Sequence, residues 1–285
     1  MAVTLRPSRP EDAPVCGRIC YDAFTKINTD HNFPPEFPNP ESAVAILSMM
    51  FSHPGLYAVV AEADGRPVGS TVMDERSAIA GIGPVTVDPH AQNSGVGRRM
   101  MEHMLERAAT RRFPGVRLVQ TAFHNRSLSL YTKLGFDSRE PLSCVQGPPI
   151  GTPIPGYAVR PAAARDFDAC NQVCVRVHGH MRDGEVRDAI DQGTAVVVEH
   201  GGRITGYATG LAFFAHAVGE TSSDVKAMMA AAPGFAGPGV LVPTRDSELL
   251  RWCLANGLRI VQPMTLMTIG LYNEPQGSYL PSILY

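Results

Sequence analysis

Two periodicities divide this chain of 285 residues. Runs of β-branched and small apolar residues stop at Gly, Pro or Asp, which predicts short buried strands. Elsewhere apolar side chains recur three or four positions apart, which predicts helices packed by one face. Residues 79–98 hold the most informative passage. An apolar run ends at Val87, breaks at Asp88-Pro89, passes through Gln92-Asn93-Ser94-Gly95-Val96-Gly97 and enters a helical stretch at Arg98. Residues 118–136 read as a strand, then a helix opened near Asn125 with Leu128, Tyr131 and Leu134 at helical spacing, then a stop at Gly135. Met49–Phe51 and Met100, Met101 and Met104 fall at core spacing.

The same patterns occur twice. Arg6-Pro7, Asp12, Cys16 and Cys20 recur 154 residues later as Arg160-Pro161, Asp166, Cys170 and Cys174. Each set reads as a first strand, a turn capped by the acid, and a helix. Ala58–Gly69 recurs 137 residues later as Ala195–Gly206, a strand, tight turn and strand in both places. Leu134-Gly135-Phe136 finds a weaker echo in Asn256-Gly257-Leu258. Order and spacing agree, so the chain divides into residues 1–146, a proline-rich extended connector over 147–156, and residues 157–285.

Composition narrows the class. The chain is 44% hydrophobic with a net charge of −2, so it can build two cores and carries no basic footprint for nucleic acid. It opens without a signal-peptide pattern, and no apolar run is long enough to cross a membrane, which makes a cytoplasmic protein the expectation. The cysteine pairs stand four apart on a helix without a His or acid at zinc spacing, so they read as buried packing and no metal site is expected.

The passage over 79–98 is wired to hold an anion. Between a strand and a helix, a loop with two glycines lets successive backbone N–H groups point at one spot, and the helix dipole adds positive charge there. A triphosphate loop would need a lysine where Arg98 stands, and a dinucleotide loop would need a third glycine at another spacing. Read alone, the loop also fits a structural strand-to-helix turn.

Together the two passages resemble the GNAT superfamily of acyl-CoA-dependent N-acyltransferases, over about residues 3–145. Gln92-x-x-Gly95-x-Gly97 matches that family's pyrophosphate loop, and Asn125 with Tyr131-x-x-x-Gly135-Phe136 matches its Asn…Tyr-x-x-x-Gly-Phe segment. The resemblance implies an α/β (α+β) fold in which two GNAT-like domains each carry a mixed, largely antiparallel twisted sheet flanked by helices. It implies acetyl-CoA as co-substrate, with the pantetheine arm along Val85, Thr86 and Val87 and the pyrophosphate over Gln92, Asn93, Ser94, Gly95, Val96, Gly97 and Arg98, where Arg99 could also neutralise phosphate. Asn125 would bond the pantetheine or cap its helix. Tyr131 would be the general acid, since a phenol of pKa near ~10 can protonate a departing thiolate. A backbone N–H near Val87 would meet the oxyanion. Pro84 cannot donate, marking an interruption in strand pairing.

The second copy lacks the loop. Residues 215–230 carry no Gln-x-x-Gly-x-Gly, a helix is expected near Ser223 with Ser222 or Ser223 as cap, and Cys253 stands where Tyr131 would align. This copy is expected not to bind acyl-CoA, and to shape the acceptor pocket or bury an apolar face of the first. No acid lies on the strand before the loop, so Asp74, Glu75, His124 or a group from the second copy are the candidate bases. Tyr21, His31 and His53 flank a loop over Asn28–Pro40 that is expected to face the acceptor. The expected activity is acetyl transfer to a primary amine of a small molecule by direct attack. A CoA-sensing protein without turnover, a protein-lysine acceptor and another acyl group remain alternatives, and the oligomeric state is open.

Overall fold

The computed structural model describes residues 3–285; Met1 and Ala2, which open the first expected domain, lie outside it. The first half runs β1 (Val3–Pro7), α1 (Ala13–Asp30), α2 (Pro40–Ser52), β2 (Leu56–Ala63), β3 (Arg66–Asp74), β4 (Ala80–Val87), α3 (Val96–Thr110), β5 (Gly115–Thr121), α4 (Asn125–Lys133) and β6 (Asp137–Gln146). The second half repeats the order: β7 (Ala158–Pro161), α5 (Phe167–His178), α6 (Asp183–Asp191), β8 (Val196–His200), β9 (Arg203–Ala208), β10 (Ala217–Gly219), α7 (Ser222–Ala231), β11 (Val240–Pro243), α8 (Ser247–Ala255), β12 (Arg259–Gly270) and β13 (Ser278–Leu280). Among the described residues, no helix is long and apolar enough to cross a membrane.

Both hairpins form, and each turns through two residues of left-handed backbone. These are Asp64-Gly65 at φ 51° and 75°, and Gly201-Gly202 at φ 59° and 77°. Two such residues in succession twist as the flanking strands do. The repeat extends to side chains. Arg6 donates to Asp12 at 2.7 Å and to Glu62 at 2.9 Å, while Arg160 donates to Asp166 at 2.7 Å and to Glu199 at 2.8 Å. Asp12 and Asp166 each accept the N–H three residues earlier, at 2.8 Å, and so hold the turn that leads into the first helix. The repeated cysteines are buried on α1 and α5, where loss of solvation pushes their thiols up.

The strands do not segregate at the connector. One sheet has the order β1-β2-β3-β4-β5-β12-β6-β11, and the other β13-β10-β9-β8-β7. β12 lies antiparallel between β5 and β6, from Met264 opposite Thr121 to Gly270 opposite Gly115 on one side. β11 pairs with β6 from Val240 opposite Val145 to Pro243 opposite Leu142. In chain order β12 is the counterpart of β6, and each follows a helix stopped by a left-handed glycine, Gly135 at φ 96° and Gly257 at φ 86°. Each half thus lends its sixth strand to the other. The connector after Gln146 is also held to the second half: Ile150 and Ile154 pack on its core, and Gln146 donates to the carbonyls of Phe235 and Gly237 at 3.0 Å.

Candidate active site

β4 meets β5 in parallel register at only two positions, Ala80 opposite Val116 and Gly81 opposite Arg117. Beyond Gly81 the two strands part. On its other edge β4 stays paired with β3, apart from a register shift that brackets Gly83-Pro84, where proline has no N–H to give. Asp88 donates to the Val68 carbonyl at 2.9 Å. Because antiparallel partners alternate, the N–H of Val87 then points away from β3, into the opening.

A cavity of about 380 Å³ fills that opening. Val85, Thr86 and Val87 line it, as do Gln92, Asn93, Gly95, Val96, Gly97 and Arg98 at one end and Tyr131 from α4. The loop is built by its own bonds: His90 N–H reaches Asp88 at 2.8 Å, Gln92 Nε2 reaches the Val87 carbonyl at 3.2 Å, and Ser94 Oγ reaches the Ala91 carbonyl at 2.5 Å. α3 starts at Val96, two residues before the expected Arg98, with Gly95 as its cap at φ 87°. A Cβ there would meet nothing within 4 Å, so what the position requires is the left-handed backbone, beside open space. No side chain caps α3 and no acid occupies its first turn. Its leading N–H groups therefore face the cavity mouth without an internal partner, the arrangement a diphosphate needs.

Two expected residues are placed differently. Ser94 turns its hydroxyl inward to Ala91 and does not line the cavity; its backbone remains part of the loop. Asn125 is exposed, lies outside the lining, and does not cap α4, whose capping residue is His124 with no side-chain cap bond. Its neighbour Arg126 takes the structural role instead, donating to Gln92 at 2.8 Å and to Asn93 at 3.2 Å and so clasping the loop. Sequence reading missed Arg126; its place one residue after the family's Asn was the only signal.

Tyr131 is buried edge-on against Phe136, with ring centroids 6.0 Å apart. Burial pushes its phenol up, so the group stays protonated and able to donate. His124 lines the cavity, and burial with the nearby Arg126 guanidinium pulls its imidazole down to about 4. Asp74 and Glu75, the other candidate bases, are engaged elsewhere. Asp74 pairs with Arg76, which also reaches Asp188 of α6 at 2.9 Å; Glu75 pairs with Arg107 at 2.9 Å. Tyr21, His31 and His53 do not line the cavity: His31 packs on Phe123, and His53 faces Asp188 at 3.2 Å. The loop they flank does supply lining residues, namely Glu36 and Phe37.

The far wall is shared between the halves. Phe214, Met264, Ile283 and Leu284 line the same cavity as α1 residues Phe24 and Ile27. The second half therefore contributes to the wall of this cavity.

In the second half the equivalent opening is closed. β13 pairs with the free edge of β10, from Ala217 opposite Leu280 to Gly219 opposite Ser278. The helix that follows, α7, is capped by Thr221 rather than by a serine, and Asp224 bonds back to the Thr221 N–H at 2.8 Å. This capping box occupies the N–H groups of Thr221 and Asp224, and the acid Glu220 directly precedes it. Cys253 is buried in α8.

Residues 22–136 match the model of the acetyltransferase (GNAT) family. This part of the chain is a GNAT domain. No curated protein matches the chain in sequence. Among solved structures, a Pyrococcus horikoshii protein named as an acetyltransferase superposes with a TM-score of 0.73 at 17% identity, covering 97% of this chain and 91% of the other. A GCN5-related N-acetyltransferase from Sphaerobacter thermophilus gives 0.62 at 14%, covering 95% and 96%. A tandem GNAT protein of the clavulanic acid biosynthesis pathway gives 0.56 at 13%, covering 94% and 98%. Each spans both halves, so the architecture is a tandem GNAT fold; at these identities the likeness concerns fold alone.

Proposed function

We propose that this GNAT protein transfers an acetyl group from acetyl-CoA to a primary amine of a small molecule, within one ternary complex. The observation that carries the reading is a single cavity joining an uncapped helix start at Gly95–Arg98, the parted edge of β4 and the protonated phenol of Tyr131.

In that reading the N–H groups at the start of α3, with Arg98 beside them, bind the diphosphate, and Arg126 keeps the loop in shape. The Val87 N–H faces the oxygen that gains charge as the amine nitrogen bonds to the acetyl carbon. Tyr131 donates its proton to the sulfur as the carbon–sulfur bond breaks, and regains one from the nitrogen of the adduct. Acetyl-CoA and an ammonium ion become an amide, free CoA and one released proton. The enclosed far wall, made from both halves, favours a small acceptor over a protein lysine.

Calorimetry with acetyl-CoA, followed by thiol release over an amine panel, tests this. The expected result is binding, release of CoA with some amines, and a loss of about 100-fold in kcat for Tyr131→Phe with acetyl-CoA affinity unchanged. Absence of acetyl-CoA binding would end the proposal, and binding without thiol release would favour the sensing alternative.

A further inference from the structure

Glu36 lies in the segment Phe33-Pro34-Pro35-Glu36-Phe37-Pro38, between α1 and α2. It lines the cavity, and its Oε2 is shut off from solvent without a hydrogen-bond partner. The surroundings are apolar: Phe24, Phe37, Ile46, Phe214, Ile283 and Leu284 line the same space. Among the described residues no arginine or lysine pairs with Glu36, whereas the buried acids Glu140, Asp166 and Glu185 each have an arginine partner. A carboxylate left alone in such a place costs several kcal/mol unless something with a positive charge joins it. An apolar pocket with one unpaired carboxylate is complementary to an ammonium group carried on an apolar body.

We infer that Glu36 is the catalytic base, taking the proton from the ammonium of an amine whose remaining surface is hydrocarbon or aromatic. The inference rests on the acetyl-transfer reading of the same cavity. The carboxylate receives one proton from the ammonium, the freed nitrogen lone pair attacks the acetyl carbon, and the proton passes from Glu36 to water after release. The nitrogen then gives up one further proton, which replaces the one that Tyr131 has handed to the sulfur, and the last stays in the amide.

Energetics favour this position. Burial raises Glu36 to about 8, which halves or better the uphill gap to an alkylammonium near ~10 that an ordinary carboxyl near ~4.3 would face. The groups around the cavity do not replace it. Cys20 on α1 lines the cavity and Cys144 on β6 lies outside it; both are pushed up, mainly by burial and in part by Glu36, and stay thiols. Lys26 and Asp30 pair with each other at the rim at 2.7 Å. Arg98 and Arg126 belong to the loop end, His124 is held down near 4, and Tyr131 is held up.

The test uses the full chain with phenethylamine and ethanolamine as probes. Glu36→Gln is expected to bind acetyl-CoA within twofold of the parent while kcat/KM for phenethylamine falls at least 100-fold. Glu36→Asp should recover part of the loss. The rising limb of kcat/KM for phenethylamine against pH, set near 8 in the parent by Glu36, should move towards the amine's own ionisation in Glu36→Gln. Phenethylamine should be preferred over ethanolamine by at least tenfold. Parent-like kinetics and pH profile in Glu36→Gln would overturn the assignment of Glu36, and equal use of the two amines would overturn the substrate class. A parent that fails to bind acetyl-CoA would instead overturn the reading beneath both.

Discussion

Met267 of β12 lies opposite Leu118 of β5 in an antiparallel ladder, and both side chains are buried in the core beneath the cavity. Their partnership joins residues from opposite halves of the chain, and β12 is the strand that links β5 to β6 in the sheet.

Unfolding should therefore be one transition for both halves, because neither sheet edge can be released alone. Met267→Ala should cost about 2–4 kcal/mol, the range for emptying a buried methionine site. Chemical denaturation followed by far-UV circular dichroism and by acetyl-CoA binding should give coincident curves, both moved to lower denaturant in the variant. Two separate transitions would show that the strand exchange does not couple the halves.

Gly95→Ala separates folding from binding. The left-handed backbone at φ 87° imposes about 1–2 kcal/mol on any residue with a Cβ, yet the added carbon meets no neighbour. Stability should fall by that small amount, while acetyl-CoA affinity falls tenfold or more because the methyl or a shifted backbone disturbs the uncapped amides. Calorimetric titration beside a thermal melt checks both; unchanged affinity would remove the loop from the binding site.

Acid should destabilise the protein early. His178, His180 and His216 are buried in the contact zone between the halves, and burial together with nearby arginines holds them down, His180 and His216 to about 4. Unfolded, each would ionise near ~6.5. The unfolded chain thus binds protons that the folded one refuses between these values, so stability is full above about 6.5 and drains as pH falls towards 4. Melting temperatures taken from pH 7.5 to 4.5 should fall steeply below 6.5, and His216→Gln should flatten the slope.

Glu36 works in the opposite direction. Its raised value means that stability is full below the unfolded carboxyl near ~4.3 and is lost as pH climbs through about 8. Glu36→Gln should then match the parent near pH 5 and melt several degrees higher at pH 9, corresponding to about 1–2 kcal/mol. A lower melting temperature at pH 9 would show that the carboxylate is stabilised by partners.

Much of this molecule is decided locally. Two left-handed residues must turn each hairpin, Gly95 must precede α3 and Gly135 must end α4, so strand, loop and helix order follow from spacing alone. Arg6 with Asp12 and Arg160 with Asp166 repeat because each pair closes over six residues, which makes the duplication visible in the chain itself. The phosphate-binding loop was legible for the same reason: its donors are backbone groups of consecutive residues.

What the chain order concealed depends on partners distant in sequence. Nothing near residues 137–146 or 259–270 states that each strand enters the other half, since apolar alternation specifies a buried strand but not its neighbour. Glu36 looks like an ordinary loop acid until Phe214, Ile283 and Leu284 arrive from the far end of the chain and remove its water. Glu75 loses its availability only because Arg107 folds onto it from α3. Local backbone geometry wrote the elements and the loop; solvent exclusion by remote residues determined which carboxylate is left free to react.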